Sequence, residues 1–400
     1  MPLSLSRKVS AVERSQTLLL FSRAKKMKSD GVDVVSLTAG EPDFPTPQII
    51  KEAGIRAIQE NFTKYTQNQG IAELLKAVAE KFRRDNGIET EPSRVLVSNG
   101  AKHSVFNGLQ AICNRGDEVI IPAPYWVSYP EMVKLVDAKP VIVQTSFDKQ
   151  FKITPSQLKR AVSRRTKAII FCTPSNPTGA VYSELELRAL ASVVATHSFY
   201  VISDEIYEKI LYDGATHFSL GSIPEIAGRV ITINGASKAY AMTGWRMGFL
   251  TATKEIVEAA EKVQGQITSN ASSISQKAIL AGLTNDLSIE IKQMVGEFDK
   301  RRRLLIDAFG KMNIPFVHPR GAFYLFFNAK QFLKKKVGGT ILRTTDDLCE
   351  HLLMNHLVAM VPGTGFGAPD WVRLSYACSM QELEKAVLRL QKAFGELASR

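Results

Sequence analysis

The sequence predicts an α/β protein with two parts: a large domain whose mostly parallel sheet is sandwiched by helices, and a smaller α+β domain. Three observations support this prediction. Short β-branched runs alternate with helix-like segments, this alternation ends near residue 290, and 400 residues exceed what one hydrophobic core usually organises. We expect an N-terminal segment (residues 1–47) that packs with the small domain, a large domain (48–290) and a small C-terminal domain (291–400).

Five apolar runs are predicted to be the strands of the large domain, because each is followed by a turn and then by a helix-like or polar segment. They are RVLV (94–97), EVIIP (118–122), KAIIF (167–171), YVISD (200–204) and VITI (230–233). Sheets of this kind bind ligands beyond the carboxyl ends of their strands. We therefore expect the functional groups in the segments that follow these runs.

The C-terminal part mixes strand and helix patterns without strict alternation, which favours an α+β unit. Its predicted elements are a long charged helix (about 285–310), GAFYLFF (321–327), a helix (345–356), VAMVPG (358–363), WVRLSY (371–376) and a final amphipathic helix.

Composition excludes several classes of protein. The chain has 45% apolar and 22% charged residues, and its uncharged stretches are shorter than the roughly 18 residues that a membrane span needs. The four cysteines lie far apart without a CxxC pair, which is typical of reduced thiols. His351 and His356 would point roughly 140° apart on a helix, so they cannot share a metal. We expect a cytoplasmic protein with no membrane segment and no metal.

The formal net charge of +12 raises the question of a nucleic-acid partner. The basic runs RAKKMK (23–28), KRRRLL (300–305) and KKK (334–336) lie in or beside amphipathic helical patterns, where basic residues usually form a solvated face. We expect no nucleic-acid partner. Acidic small molecules stay open as ligands.

Two polar groups follow neighbouring predicted strands. Asp204 ends the run YVISD, and Tyr207 would share its face if a helical turn follows. An N-cap aspartate explains Asp204 equally well by itself. Lys238 comes one strand and one crossover later, among small residues. Either it points to solvent, or its amine is a neutral nucleophile that can form a Schiff base.

The segment SNGAKHS (98–104) predicts a phosphate-binding turn. Gly100 and Ala101 open a helix after a strand, where free backbone N–H groups and the helix dipole favour an anion. Small turns before helices are common, so the turn alone is a weak signal. Arg246, eight residues beyond Lys238, would complete the binding of a phosphate from a second side.

Further segments fall in one order along nearly the whole chain. They are SLTAGEPDFPTP (36–47), TKYTQNQGIAEL (63–74), SNGAKHS, PAPYWVSYPEM (122–132), TPSNPTGAVY (173–182), VISDEIYE (201–208), NGASKAYAMTGWRMGF (234–249), GAFY (321–324) and VPGTGFG…VRLSYA (361–377). Together they resemble the fold-type I, class I aminotransferases that use pyridoxal 5′-phosphate, and within them the aspartate aminotransferase group found in many bacteria.

The resemblance implies the roles of several residues around the cofactor. Lys238 would hold the cofactor through a Schiff base and shuttle a proton, and Asp204 would pair with the pyridine nitrogen. Tyr207 and Asn176 would bond the ring's phenolic oxygen, and Trp126 would stack on the ring.

The resemblance also implies a shared phosphate site. Gly100, Ala101, Lys102 and Arg246 would surround the phosphate within one subunit. Tyr65 would reach the phosphate of the neighbouring subunit, so we expect a homodimer.

For the substrate, the resemblance implies that Arg373 binds the α-carboxylate in a bidentate manner and that the Gly40 backbone meets the same group. Lys102 would read the distal carboxylate, because QITSNASS (266–273) has no basic residue that a partner subunit could supply. Thr17 and Arg14 fall in the segment that closes over the substrate in related enzymes.

The expected function is aspartate aminotransferase, which exchanges amino groups between aspartate or glutamate and 2-oxo acids, with prephenate as a further acceptor. Two alternatives stay open. The first is another reaction on the same fold, such as diaminopimelate transamination or cleavage of a carbon–sulfur bond. The second is a non-catalytic regulator that binds the cofactor and contacts nucleic acid, which would need an added DNA-binding module.

Overall fold

The structure, a computed structural model, describes residues 5–13, 16–337 and 339–398, without the side chains of residues 7, 16–21 and 340. The helices are α1 Arg7–Ser10, α2 Gln16–Ser29, α3 Gln48–Gln59, α4 Ala72–Asn86, α5 Ala101–Ile112, α6 Ser128–Leu135, α7 Pro155–Ala161, α8 Glu184–Ala195, α9 Lys254–Ile267, α10 Ser273–Thr284, α11 Ser288–Lys311, α12 Thr345–His356 and α13 Met380–Ala398. The strands are β1 Val35–Ser36, β2 Val95–Asn99, β3 Glu118–Ala123, β4 Lys139–Gln144, β5 Thr166–Cys172, β6 Tyr200–Asp204, β7 Val230–Gly235, β8 Met247–Thr251, β9 Phe316–Val317, β10 Tyr324–Asn328, β11 Lys336–Val337, β12 Thr340–Ile341, β13 Val358–Ala359, β14 Val361–Pro362 and β15 Trp371–Ser375.

Within these residues, seven strands form the central sheet in the order β2-β8-β7-β6-β5-β3-β4. Strand β8 runs antiparallel to both of its neighbours, and the other pairings are parallel. The predicted α/β class is confirmed, and the five predicted strands are present as β2, β3, β5, β6 and β7. The sequence analysis missed two strands, β4 and β8.

Helices cover both faces of the sheet because successive strand residues point to opposite sides. In β3, Val119 and Ile121 pack in a core with residues of α5, α6 and α9, whereas Ile120 packs on the other face with residues of α7 and α8. This two-sided burial explains why the central strands read as continuous apolar runs.

Local sequence signals explain where several helices begin and end. Ser183 and Thr154 form capping boxes at the starts of α8 and α7, because each hydroxyl accepts a bond from a backbone N–H of the first turn. Helix α4 ends at Gly87, which adopts the left-handed conformation with φ +63°.

A second sheet with the order β14-β15-β10-β9 is antiparallel throughout. It shares a core with α11 and α13, in which Phe309 and Phe327 lie with ring centroids 4.9 Å apart. Strand β1 pairs with β13, and the chain after it lies beside the second sheet: the Leu37 carbonyl accepts a bond from Ser375 N of β15 at 2.8 Å. None of the described helices has the length and apolar character needed to cross a membrane.

Candidate active site

A pocket of about 370 Å³ lies beyond the carboxyl ends of the central strands. Its lining comes from the segments after β2, β3, β5, β6 and β7, together with the segment 38–41 and two strands of the second sheet. The structure therefore brings together most of the residues selected from the sequence. They are Gly40, Ala101, Lys102, Trp126, Asn176, Asp204, Tyr207, Lys238, Arg246 and Arg373.

Asp204 is the last residue of β6 and is 4% exposed. Burial raises the pKa of its carboxyl to about 6, although hydrogen bonds oppose that effect. Tyr129 donates a bond to Oδ2 at 2.7 Å, and the Ile206 backbone N–H donates to Oδ1 at 3.3 Å. The chain turns after Asp204 without starting a helix, so Asp204 is not an N-cap.

Lys238 lies on the turn after β7, the strand that pairs with β6. Its amine donates a bond to the Gly40 carbonyl and lies 5.8 Å from the centre of the Tyr207 ring. Burial lowers the pKa of the amine to about 8, against the opposing effect of Glu41. A lysine with this pKa is neutral in a substantial fraction of molecules near pH 8, as a nucleophile requires.

Arg373 reaches the pocket from β15 and is 2% exposed. It donates to Asn176 Oδ1 at 2.9 Å and to the Thr38 carbonyl at 3.0 Å, and its carbon Cζ lies 4.5 Å from the centre of the Tyr324 ring. No carboxylate of the described chain forms an ion pair with this guanidinium, and its Nε has no partner there. A buried cation of this kind needs an anion, which a ligand can supply.

Basic groups and a helix end meet on another side of the pocket. Helix α5 begins at Ala101, directly after Gly100, whose φ of +87° favours glycine. Arg246 lies against Gly100, where a Cβ atom would collide with its guanidinium, and donates to the Thr243 carbonyl at 2.8 Å. Lys102 Nζ lies 4.8 Å from the centre of the Trp126 ring, and burial lowers the pKa of this lysine, with Arg246 adding to the effect.

Two predicted residues of the described chain, Tyr65 and Gly100, do not line the pocket, although Gly100 directly precedes the lining residue Ala101. Tyr65 is 91% exposed. Arg14 falls outside the described residues, as does the side chain of Thr17.

Comparison with known proteins agrees with this geometry. Residues 32–390 match the model of the family "Aminotransferase class I and II". The chain belongs to this family. It is 46% identical over 396 residues, 98% of this chain and 83% of the relative, to the bifunctional aspartate aminotransferase and glutamate/aspartate-prephenate aminotransferase of Petunia hybrida. It is 44% identical to the aspartate aminotransferase of Geobacillus stearothermophilus, over 98% of each chain.

A solved structure gives the same answer. The aspartate aminotransferase of Thermus thermophilus with maleate superimposes with a TM-score of 0.92 at 42% identity, and the match covers 98% of this chain and 100% of the Thermus chain. Aminotransferases of this family use pyridoxal 5′-phosphate, so this chain is a transaminase that depends on that cofactor.

The pocket of this aminotransferase fits the cofactor. An amine of lowered pKa and a buried carboxyl group line one cavity, as a Schiff base and a protonated ring nitrogen require. The start of α5 and Arg246 offer donors to a phosphate, and no carboxylate of the described residues forms an ion pair with Arg246.

The sequence analysis missed functional groups of this aminotransferase. Tyr129, whose hydroxyl bonds Asp204, and Tyr324, whose hydroxyl lies 2.8 Å from that of Tyr207, both line the pocket. Glu41 also lines it and accepts a bond from Thr243 at 2.7 Å. A signal existed for Tyr129, because it lies three residues after Trp126, and its backbone N–H bonds the Trp126 carbonyl at 3.0 Å where α6 begins. Nothing local distinguishes Tyr324 from a core residue of β10.

Proposed function

We propose that this aminotransferase exchanges amino groups between aspartate or glutamate and 2-oxo acids, and that prephenate is a second amino acceptor. One observation carries the proposal: Arg373 is a buried guanidinium without a carboxylate partner among the described residues, and it faces the same cavity as Lys238. A carboxylate bound there would place its amino or oxo carbon beside an amine of suitable pKa.

Lys238 is the proposed base for the proton on the substrate α-carbon. Burial brings its pKa to about 8, so proton removal and return at Nζ are both accessible near neutrality. When bound, pyridoxal phosphate supplies an electron-withdrawing ring that stabilises negative charge at that carbon. The Lys238 amine donates to the Gly40 carbonyl, which lies on the segment 38–41 and limits the directions in which the amine can point.

Asp204, Tyr207 and Asn176 are the proposed groups that bind and orient the ring, with Trp126 packed against it. Asp204 carries a pKa of about 6, so at neutral pH it is mostly ionised and can hold a protonated ring nitrogen. Burial raises the pKa of Tyr207 well above its ordinary value, which keeps its hydroxyl protonated as a donor.

Gly100, Ala101, Lys102 and Arg246 are the proposed phosphate-side residues, and Lys102 also reads the distal carboxylate of the substrate. Its position over Trp126 supports this role, because Trp126 lines the same cavity. The Thermus thermophilus relative was solved with maleate, a dicarboxylate. Thr17 and Arg14 remain proposed substrate contacts of the N-terminal segment.

Prephenate is proposed as an acceptor because the Petunia hybrida relative carries prephenate transamination in its name and is matched over 98% of this chain. The same relatives favour transamination over the alternative of carbon–sulfur cleavage or diaminopimelate transfer.

We also propose a homodimer in which Tyr65 enters the partner's phosphate site. The 91% exposure of Tyr65, and the exposure of Ile55 and Ile58 on α3, support a contact surface nearby.

We propose that the chain is divided into a segment 1–47 that packs with the small domain 291–400, and a large domain 48–290. The pairing of β1 with β13 supports this division. Four free cysteines support a cytoplasmic location.

The test is a half-reaction. The protein is loaded with pyridoxamine phosphate, single 2-oxo acids are added, and the return of the aldehyde spectrum is followed by stopped flow. We expect fast return with oxaloacetate and 2-oxoglutarate, measurable return with prephenate, and slow return with the monocarboxylate pyruvate. If pyruvate reacts as fast as the dicarboxylates, the proposed substrate class is wrong.

A further inference from the structure

A group of buried charged and polar side chains lies behind the turn that carries Tyr207. We call it the rear cluster; it consists of Lys81, Asn86, Glu205, Glu208 and His217. The side chains of the turn point in two opposite directions. Asp204 and Tyr207 line the pocket, whereas Glu205 and Glu208 point into the rear cluster.

Glu205 is fully buried and accepts bonds from several separate parts of the chain. Ser203 and Ser219 each donate to Oε1 at 2.8 Å, and Asn86 and His217 donate to Oε2 at 2.9 and 2.8 Å. These donors come from β6, from the end of α4 and from the loop before β7. The Glu205 carboxylate therefore links β6, the end of α4 and the loop before β7 at a position directly after Asp204.

Glu208 is held in the same way one turn later. Asn86 donates to it at 2.6 Å, and the Lys81 amine forms an ion pair with it while also donating to Asn86 Oδ1 at 2.6 Å. Oxygen and nitrogen atoms of Glu205, Glu208 and His217 lie within 4.8 Å of one another, as metal ligands would. The Lys81 amine already supplies positive charge at that place.

The charges of the rear cluster balance within it. Burial would raise the pKa of Glu208, but Lys81 and His217 bring it below its ordinary value. Burial would lower the pKa of His217, but Glu205 brings it above its ordinary value. Two carboxylates thus face the Lys81 ammonium and the His217 ring. Such buried ionic groups add little net stability compared with apolar packing, yet their bonds fix geometry; here both carboxylates accept several bonds, and only His217 Nδ1 has no partner among the described residues.

We propose that the rear cluster consists of positioning residues for the cofactor: it holds the turn 204–208 so that the Tyr207 hydroxyl and the Asp204 carboxyl meet the ring. Among the described residues, the Tyr207 hydroxyl forms a hydrogen bond only with the Tyr324 hydroxyl, on the pocket side of the turn. The inference rests on the proposed cofactor contacts of Asp204 and Tyr207. A shift of the turn by a fraction of an ångström would misplace both groups at once.

The test compares variants of the full chain. Glu208→Gln keeps a side chain of the same shape but leaves the Lys81 charge without its partner, and Lys81→Met combined with Glu208→Gln removes both charges. Lys209→Met is the matched control, because it removes the neighbouring, partly buried ion pair with Asp85 (3.0 Å) and none of the hydrogen bonds within the rear cluster. The readouts are the dissociation constant of pyridoxal phosphate, the visible circular dichroism of the bound cofactor and the Tm of the apoprotein.

We expect Glu208→Gln to weaken cofactor binding on the order of tenfold and to change the visible dichroism per bound cofactor. The double variant should recover most of the cofactor affinity and most of the visible dichroism, and Lys209→Met should change neither quantity. A lowered Tm with unchanged cofactor binding and dichroism would show that the rear cluster is only structural and would overturn the proposal, as would an equal effect of Lys209→Met. If Glu208→Gln does not fold, His217→Gln, which removes the imidazole bond to Glu205, is compared with the wild type by the same three readouts. Failure of the wild-type protein to bind pyridoxal phosphate would instead refute the proposed function together with the inference.

Discussion

Replacing Tyr129 by phenylalanine tests the electrostatic state of Asp204. The change removes one hydroxyl, whose bond to Asp204 Oδ2 is 2.7 Å long, and leaves the packing of the ring against Trp126 (centroids 5.3 Å apart) in place. Both Tyr129 and Asp204 are buried, so water cannot readily replace the lost donor.

The size of the effect follows from the charge. A hydrogen bond to an ionised group contributes about 1.5–3 kcal/mol, which corresponds to about one to two pKa units. Asp204 has a pKa of about 6 in the folded protein. Losing the Tyr129 bond should therefore raise it to about 7–8, so that much of the carboxyl is protonated at neutral pH.

The sign of the pH dependence can be worked out for the apoprotein. The pKa of Asp204 is raised by folding, so its contribution to stability is fully present below about pH 4 and is lost as pH rises through about 6. In Tyr129→Phe the loss extends to about pH 7–8. The two proteins should differ little in free energy of unfolding at pH 5, and by about 1.5–3 kcal/mol at pH 8.

Urea unfolding of the two apoproteins at pH 5 and pH 8 measures this difference directly. In the loaded enzyme, kcat at pH 7.5 should fall by about tenfold to a hundredfold, because a protonated Asp204 cannot pair with a cationic ring nitrogen. If the difference in unfolding free energy is the same at both pH values, Tyr129 does not donate to an ionised carboxylate and the reasoning fails.

Three further substitutions test the other proposed roles. Lys102→Ala should lower kcat/KM for dicarboxylic substrates by a few kcal/mol in transition-state terms, roughly the loss of a charged partner, and spare monocarboxylic ones; equal losses would show that Lys102 does not read the distal group. Lys238→Ala should abolish turnover and the visible band of covalently held cofactor, and near-wild-type transamination would exclude its assigned role. Arg373→Lys should raise KM for every amino acid by about tenfold or more, since an ammonium cannot copy the bonds to both Asn176 and a carboxylate; an unchanged KM would place the α-carboxylate elsewhere.

The central strands could be predicted because burial on both faces leaves a strong signal in the sequence. Strand β4 could not, because it is the edge of the sheet and its residues alternate between exposed and half-buried, with Pro140 at its second position. Strand β8 contains Gly248, which reads as a turn. In the fold a Cβ atom there would collide with the backbone of Gly100 and Ala101, so the glycine permits the strand to pass the start of α5.

The convergence of Asp204 and Lys238 could be predicted from strand order alone, since neighbouring parallel strands end at the same edge of a sheet. Tyr324 could not be placed in this way. It belongs to the second sheet and meets Tyr207 across 117 residues of sequence, and its apolar neighbours in β10 make it look like an ordinary core aromatic. The rear cluster was missed for a similar reason, because Lys81 and Asn86 lie on a helix most of whose other charged residues are exposed.

The pocket and the rear cluster differ in whether their buried charged groups are paired within the protein. In the rear cluster, Lys81 pairs with Glu208 and His217 with Glu205, so no ligand is needed to explain the burial of these carboxylates. In the pocket, Lys102, Lys238, Arg246 and Arg373 face Glu41 and Asp204, and none of these four cations forms an ion pair with a carboxylate of the described chain. Since buried or partly buried cations without anions are unfavourable, the excess positive charge is explained by ligands that carry a phosphate and carboxylates. The pocket's composition thus selects anionic partners before any individual contact is considered.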